Sequence, residues 1–109
     1  MKTSRASEPH EKVVVTQGWD SYIPFEMGPN TTFTYRSDPR RVCFMLSRYK
    51  FCAKLLTGKR SVLDIGCSDA FGTPFVAQEV EKVLTTDWDS RLIESNVERL
   101  SFFNNCTFQ

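Results

Sequence analysis

The chain has 109 residues, 40% hydrophobic and 25% charged, with a formal net charge of +1. That suffices for one small domain with a modest core. It excludes overall charge as a reason to expect nucleic acid or an anionic membrane, and no apolar run approaches the ~20 residues that span a bilayer.

The first ten residues, Met1 to His10, lack the apolar centre of a signal peptide. The four cysteines, Cys43, Cys52, Cys67 and Cys106, form no C-x-x-C pair, and His10 is the single histidine. A zinc site is therefore not expected. Widely spaced single thiols in helix and strand contexts read as reduced, buried groups in a cytoplasmic protein. Cys67 stands apart because it falls in a loop.

Residues 1–12 are polar and read as mobile. Val13-Val14-Val15-Thr16 reads as a short extended segment. From Gln17 to Asn30 the chain is rich in Gly, Pro and aromatics, with no sustained period. It reads as an irregular arm that packs Trp19, Tyr22 and Phe25 onto the domain, or as a lid. Thr31 to Tyr35 reads as extended. Ser37-Asp38-Pro39 starts a helix, since Ser37 or Asp38 can cap and Pro39 suits the first turn. Val42, Met45, Leu46, Tyr49, Ala53 and Leu56 recur at helical spacing, and Gly58 terminates the run. The helix's Arg and Lys residues read most simply as a solvated face. An electrostatic guide for an acidic substrate or RNA is the alternative.

Val62-Leu63-Asp64-Ile65 then reads as a parallel strand buried on both faces. It is followed by Gly66-Cys67-Ser68-Asp69-Ala70-Phe71-Gly72, a run of mostly small residues, and by a helix from about Gly72 to Glu81. The helix would turn its unpaired N–H groups and positive dipole end toward the loop. Lys82 to Asp87 forms the second strand, completing a right-handed βαβ unit. Asp89 or Ser90 caps a helix whose periodicity is carried by Leu92, Ile93, Asn96, Val97 and Leu100. Asn104-Asn105 is a turn, and Cys106 onward opens a third strand. The expected strand order is 3-2-1.

Gly66 lets a ligand lie against the backbone, because it has no Cβ, and Ser68 and Ala70 are the next least bulky residues. A nucleotide or charged small molecule is the natural occupant. Asp87 follows Gly66 at the end of the adjacent strand, where an acid accepts both hydrogen bonds of a ribose diol. Trp88 would stack on an adenine or pack into the core. A nicotinamide fingerprint, G-x-G-x-x-G, would put Phe71 on a glycine position and fails there.

Asp64-x-Gly66-x-Ser68-x-Ala70, with Asp87 closing the second strand, resembles the first two motifs of class I S-adenosylmethionine-dependent methyltransferases. Their first motif is acid-x-Gly-x-Gly-x-Gly. Ser68 and Ala70 stand at the second and third glycine positions, and Gly72 supplies a glycine two residues later. The resemblance implies an α/β fold: a Rossmann-like parallel sheet with flanking helices, incomplete here, behind an N-terminal arm and helix. It implies an arm over 1–37 and, over 38–109, the N-terminal half of a cofactor-binding domain that normally has seven strands. It implies S-adenosylmethionine as cofactor, bound by Asp64, Gly66, Cys67, Ser68, Ala70, Asp87 and Trp88. Asp64 would hold the cofactor's amino group, and Thr73 could donate to its carboxylate.

The resulting expectation is the cofactor-binding portion of a methyltransferase with a small-molecule acceptor. No nucleic acid or membrane partner is expected, and the catalytic residues are unknown. The uncovered edge of the first strand invites self-association. A non-catalytic cofactor-binding or regulatory module, an NAD-binding piece and a structural interaction domain are the alternatives.

Overall fold

A computed structural model describes Asp20 and residues 22–109. The polar start, the β-branched run at 13–16 and the beginning of the arm, including Trp19, lie outside the described residues.

Residues 22–28 carry no regular secondary structure, as the arm's composition suggests. Helix α1 spans Pro29–Ser37, where an extended segment was expected over Thr31 to Tyr35. Pro29 pre-sets the first helical φ. The backbone N–H of Thr31 finds its acceptor on the Asp69 carboxylate, a partner outside the local sequence. That cap overrides the β preference of Thr31, Thr32 and Phe33.

Helix α2, Pro39–Leu56, begins where expected, with Asp38 as N-cap accepting from Arg40 N. Gly58 follows it at φ 83, the left-handed conformation in which glycine carries no Cβ penalty. Strand β1 is Ser61–Ile65 and strand β2 is Lys82–Thr86, paired in parallel with Ile65 opposite Thr86. Between them lies α3, Thr73–Ala77. It has five residues and ends well before the Glu81 that sequence periodicity suggests. Tertiary bonds claim its last carbonyl and those just beyond its end: Asn105 Nδ2 donates to Ala77 O at 2.7 Å and to Val80 O at 3.3 Å. Gly58 N donates to Glu79 O at 2.9 Å. A helix this short contributes little macrodipole at the loop.

Helix α4, Ser90–Arg99, is capped by Asp89. Strand β3, Cys106–Phe108, pairs in parallel with β2. The sheet order is β1-β2-β3, the expected order read from the other side. Both crossovers are βαβ connections, and their right-handedness puts α3 and α4 on one face of the sheet. There Val62 and Val83 pack with Ala53, Val76 and Ala77. A second cluster joins Cys67, Ala70 and Leu100 to Ile93, Phe103 and Phe108.

The double burial expected of β1 is not found. Strand alternation turns Leu63 and Ile65 away from the helices, and they are 56% and 76% exposed. The cause is position: β1 is an edge strand, and the three-stranded sheet bears helices on one face. No helix among the described residues is long and apolar enough to cross a membrane.

Candidate functional site

The carboxyl ends of β1 and β2 lie side by side, so Asp64 and Asp87 flank one loop. Gly66 N and Cys67 N both donate to Thr86 O, at 2.8 and 2.9 Å, which turns the chain sharply out of β1. Gly66, Ser68 and Ala70 all have positive φ, at 74°, 51° and 53°. The motif's three small-residue positions therefore share one backbone requirement, that of the left-handed region. At Gly66 a Cβ would meet nothing within 4 Å. This face of the backbone is open to a ligand.

Both oxygens of Asp87 support the turn. Ser68 N donates to Oδ2 at 2.9 Å and Asp89 N to Oδ1 at 3.0 Å. A carboxylate offers about four acceptor sites, so each oxygen retains capacity for a ligand hydroxyl. Trp88, next along, is 92% exposed. The core reading of Trp88 is excluded, and its ring is free to stack.

Asp64 Oδ2 accepts from Thr73 Oγ1 at 2.9 Å and from Tyr49 OH at 3.3 Å. Thr73, expected to donate to a ligand carboxylate, is committed to Asp64 instead. Burial first, and then the Asp64 carboxylate, raise the Tyr49 phenol above its ordinary pKa, so it stays a donor. Asp64 Oδ1 takes no hydrogen bond among the described residues. Cys67 is buried. Desolvation, then the charges of Asp64 and Asp87, push its thiol up to about 11. Its side chain packs with Ala70 and Leu100 beneath the loop, and the residue also borders the cleft described below.

Three polar residues hold this loop: Asn96, read from the sequence as part of its helix's periodic face, Arg99, read there as facing water, and Asp69, left unplaced. Asn96, fully buried on α4, donates to Ser68 O at 2.8 Å and contacts Cys67 Sγ at 3.7 Å. Arg99 Nη2 donates to Asp69 O at 2.8 Å, Nη1 to Glu26 O at 3.1 Å, and Nε to Ser95 Oγ at 2.9 Å. Asp69 is 1% exposed and caps α1 through Oδ2, while its Oδ1 is buried without a partner among the described residues. Gly28, at φ +93, passes so close that a Cβ would sit 2.6 Å from Asp69 Cγ. The signal for Asn96 was present in the sequence: it is a polar residue at a core position of an amphipathic helix. Tyr49 was legible only as a core residue of α2.

The arm meets the loop through Phe25, whose ring centroid lies 6.3 Å from that of Phe71. Asn30 Nδ2 donates to Ser68 Oγ at 2.9 Å. A cleft of about 310 Å³ opens between α1, α2 and the loop, with Asn30, Thr34, Arg41, Phe44, Arg48 and Ser68 in its wall.

No protein-family model and no curated protein matches the sequence. Solved structures do match the fold. The 23S rRNA methyltransferase ErmE is 26% identical with a TM-score of 0.52, the match covering 60% of this chain and 26% of that one. A dimethyladenosine transferase from Plasmodium falciparum is 30% identical with a TM-score of 0.52, covering 60% of this chain and 24% of that one. M. capricolum TrmK, in complex with its natural cofactor product S-adenosyl-homocysteine, is 17% identical with a TM-score of 0.51, covering 61% and 30%. By fold the chain is classed with the class I S-adenosylmethionine-dependent methyltransferases. It spans about a quarter of the length of the first two structures.

One expectation is corrected by this comparison. Nucleic acid was set aside on net charge, yet a similar structure is that of an enzyme named for an RNA substrate. Net charge averages over the whole chain and does not report where cations sit. Arg41 and Arg48 both line the cleft.

Proposed function

We propose that this chain is the cofactor-binding portion of an S-adenosylmethionine-dependent methyltransferase that acts on nucleic acid. The observation that carries the reading is the loop Gly66 to Ala70: three left-handed positions, with open space over Gly66, between two strand-end carboxylates. The residues present fit the cofactor. Asp64 Oδ1 is available to a cationic amino group, and Asp87 retains acceptor capacity for a ribose diol. Ser68 and Ala70 keep the loop's surface low, and exposed Trp88 offers a ring to the adenine. The cofactor supplies an activated methyl group. The chain's own residues hold it, orient it and fix the Asp64 carboxylate through Tyr49 and Thr73.

The nucleic-acid acceptor is supported by the likeness to ErmE and to the dimethyladenosine transferase. The small-molecule acceptor finds no such support, since the similar structures include an rRNA methyltransferase. The domain division, an arm over 1–37 and a cofactor-binding unit over 38–109, is retained with one amendment: α1 belongs functionally to the loop it covers. Of the four thiols expected to be buried, Cys67 is buried and Cys106 half-buried, while Cys43 and Cys52 on α2 are exposed.

Calorimetric titration of S-adenosylmethionine onto the chain and its Gly66→Ala variant tests the reading. The substitution strains a φ of +74° but meets no atom. It should cost about 1–2 kcal/mol of stability, while the methyl group occupies the ligand's place and weakens binding at least tenfold. Equal affinity in both proteins would remove the cofactor from this loop.

A further inference from the structure

Helix α2 carries a second stripe, separate from its core face. Arg41, Phe44, Arg48 and Phe51 recur at i, i+3, i+7 and i+10, which aligns them along one flank over about 15 Å of helix axis. Phe44 and Phe51 are 63% and 65% exposed. Neither Arg41 nor Arg48 forms an ion pair among the described residues; the pairs present are Arg40–Asp38 and Arg91–Asp89. Arg41, Phe44 and Arg48 line the cleft whose opposite wall is Ser68 and Asp69 of the motif loop. An isolated solvated face would not alternate large exposed rings with unpaired guanidinium groups. Nor would a core face leave both kinds of side chain uncovered.

We infer that this flank of α2 receives a single-stranded polynucleotide, with Phe44 stacking a base at the cleft mouth and Arg41 and Arg48 holding the adjoining phosphates. The inference rests on the nucleic-acid reading above and adds the surface. Charge and shape both point to this occupant. Guanidinium groups pair with phosphate through a planar fork. An aromatic ring between two such groups offers a base the stacking platform that single-stranded binders use. Asp69 is the acidic residue in the cleft wall, against Arg41 and Arg48. Asp69 Oδ2 caps α1, and Asp38 is held by Arg40 at 2.9 Å. Asp69 Oδ1 is buried and takes no hydrogen bond among the described residues.

The test is fluorescence anisotropy of a labelled mixed-sequence RNA 12-mer with the full chain, measured across a salt series, alongside calorimetry with S-adenosylmethionine. Phe44→Ala should weaken RNA binding about 5- to 100-fold. Arg41→Ala and Arg48→Ala should each reduce the salt slope by roughly 0.7, the share of one phosphate on a single strand. The control is Lys59→Ala with Arg60→Ala, two exposed cations just before β1 at the opposite end of the strand. Their removal should leave the Phe44 effect intact. All these side chains are exposed, so melting temperatures should stay level, and cofactor binding should be unchanged.

If RNA binds but the Lys59/Arg60 pair governs it, the α2 surface is wrong while the nucleic-acid reading stands. If S-adenosylmethionine binds and RNA does not, both the surface and the nucleic-acid acceptor fall, and the cofactor reading stands. A dimer that Phe44→Ala dissolves, and that excludes RNA, would assign the stripe to self-association and overturn the inference.

Discussion

The contact between Gly72 and Tyr49 gives a sharp test of how the site is built. Gly72 has ordinary helical φ, −86°, so alanine would bring no backbone strain there. Its problem is steric: a Cβ would overlap the Tyr49 ring at Cδ2 and Cγ. The ring cannot yield freely, because its hydroxyl is bonded to Asp64 Oδ2 at 3.3 Å. Overpacking of this kind costs about 1–3 kcal/mol. If the ring swings aside, a hydrogen bond to a carboxylate is lost as well, worth ~1 kcal/mol or more at this length. Gly72→Ala should therefore destabilise by about 2–3 kcal/mol, or roughly 10 °C or more in melting temperature for a domain of this size. Tyr49→Ala alone should cost a similar amount through lost burial. In the double variant the new methyl group enters space the ring has vacated, so Gly72→Ala should then cost about 0 kcal/mol, or even help by reducing unfolded-state freedom. The expected coupling is thus about 2 kcal/mol, read from urea unfolding of the four proteins by circular dichroism. Tyr49→Phe separates the hydroxyl from the ring. Costs that simply add, within about 0.5 kcal/mol, would refute the packing described here.

Other expectations concern the loop's supports. Asn96→Leu leaves Ser68 O and the Arg99 guanidinium without their buried partner and should cost about 2–4 kcal/mol, measured by urea unfolding; a neutral result would show that α4 does not hold the loop. Ser68→Gly removes left-handed strain at φ 51° but adds unfolded-state entropy and loses the exposed bond from Asn30, so its net effect should lie within about 0.5 kcal/mol. Iodoacetamide at pH 8 should modify exposed Cys43 and Cys52 and spare Cys67 until the protein unfolds, as peptide mass mapping would show. Because the Cys67 thiol is raised from 9.0 to about 11 in the folded chain, the unfolded state loses its proton first. Stability should fall as pH rises between about 9 and about 11, and Cys67→Ala should reduce that slope.

What could be read from the sequence was what local residues decide. Asp38-Pro39 starts α2 and Gly58 ends it, through a cap and a left-handed turn that need no distant partner. The βαβ unit follows from apolar runs bounded by small residues, and Asp64 and Asp87 come together because parallel strands align their carboxyl ends. The misread elements are those whose hydrogen bonds leave the neighbourhood. Helix α1 is capped by Asp69, 38 residues away. Helix α3 is shortened by Asn105, 28 residues from Ala77. The exposure of Leu63 and Ile65 depends on what lies beside β1, which a strand's own pattern does not encode.

The same distinction explains how the loop keeps its left-handed turns with Ser68 and Ala70 in place of glycine. Left-handed φ at Ser68 and Ala70 costs each residue roughly 1–2 kcal/mol relative to the right-handed region. Glycine would remove that cost locally. Here long-range bonds offset it: Ser68 N to Asp87, Ser68 O from Asn96, and Asp69 O from Arg99, while Ala70 N returns to Cys67 O at 2.8 Å. The loop's shape is therefore a property of α4 and β2 more than of the loop's own sequence. It follows that damage at Asn96 or Arg99, neither on the open face, should reach a ligand at Gly66. It also follows that glycine at position 68 should partly rescue loop geometry in an Asn96 variant, because the backbone would then adopt that geometry unaided. Cofactor affinity recovered in Asn96→Ala by adding Ser68→Gly would show that the missing glycine and the buried asparagine perform one task; no recovery would mean that Asn96 acts through Cys67 and the core instead.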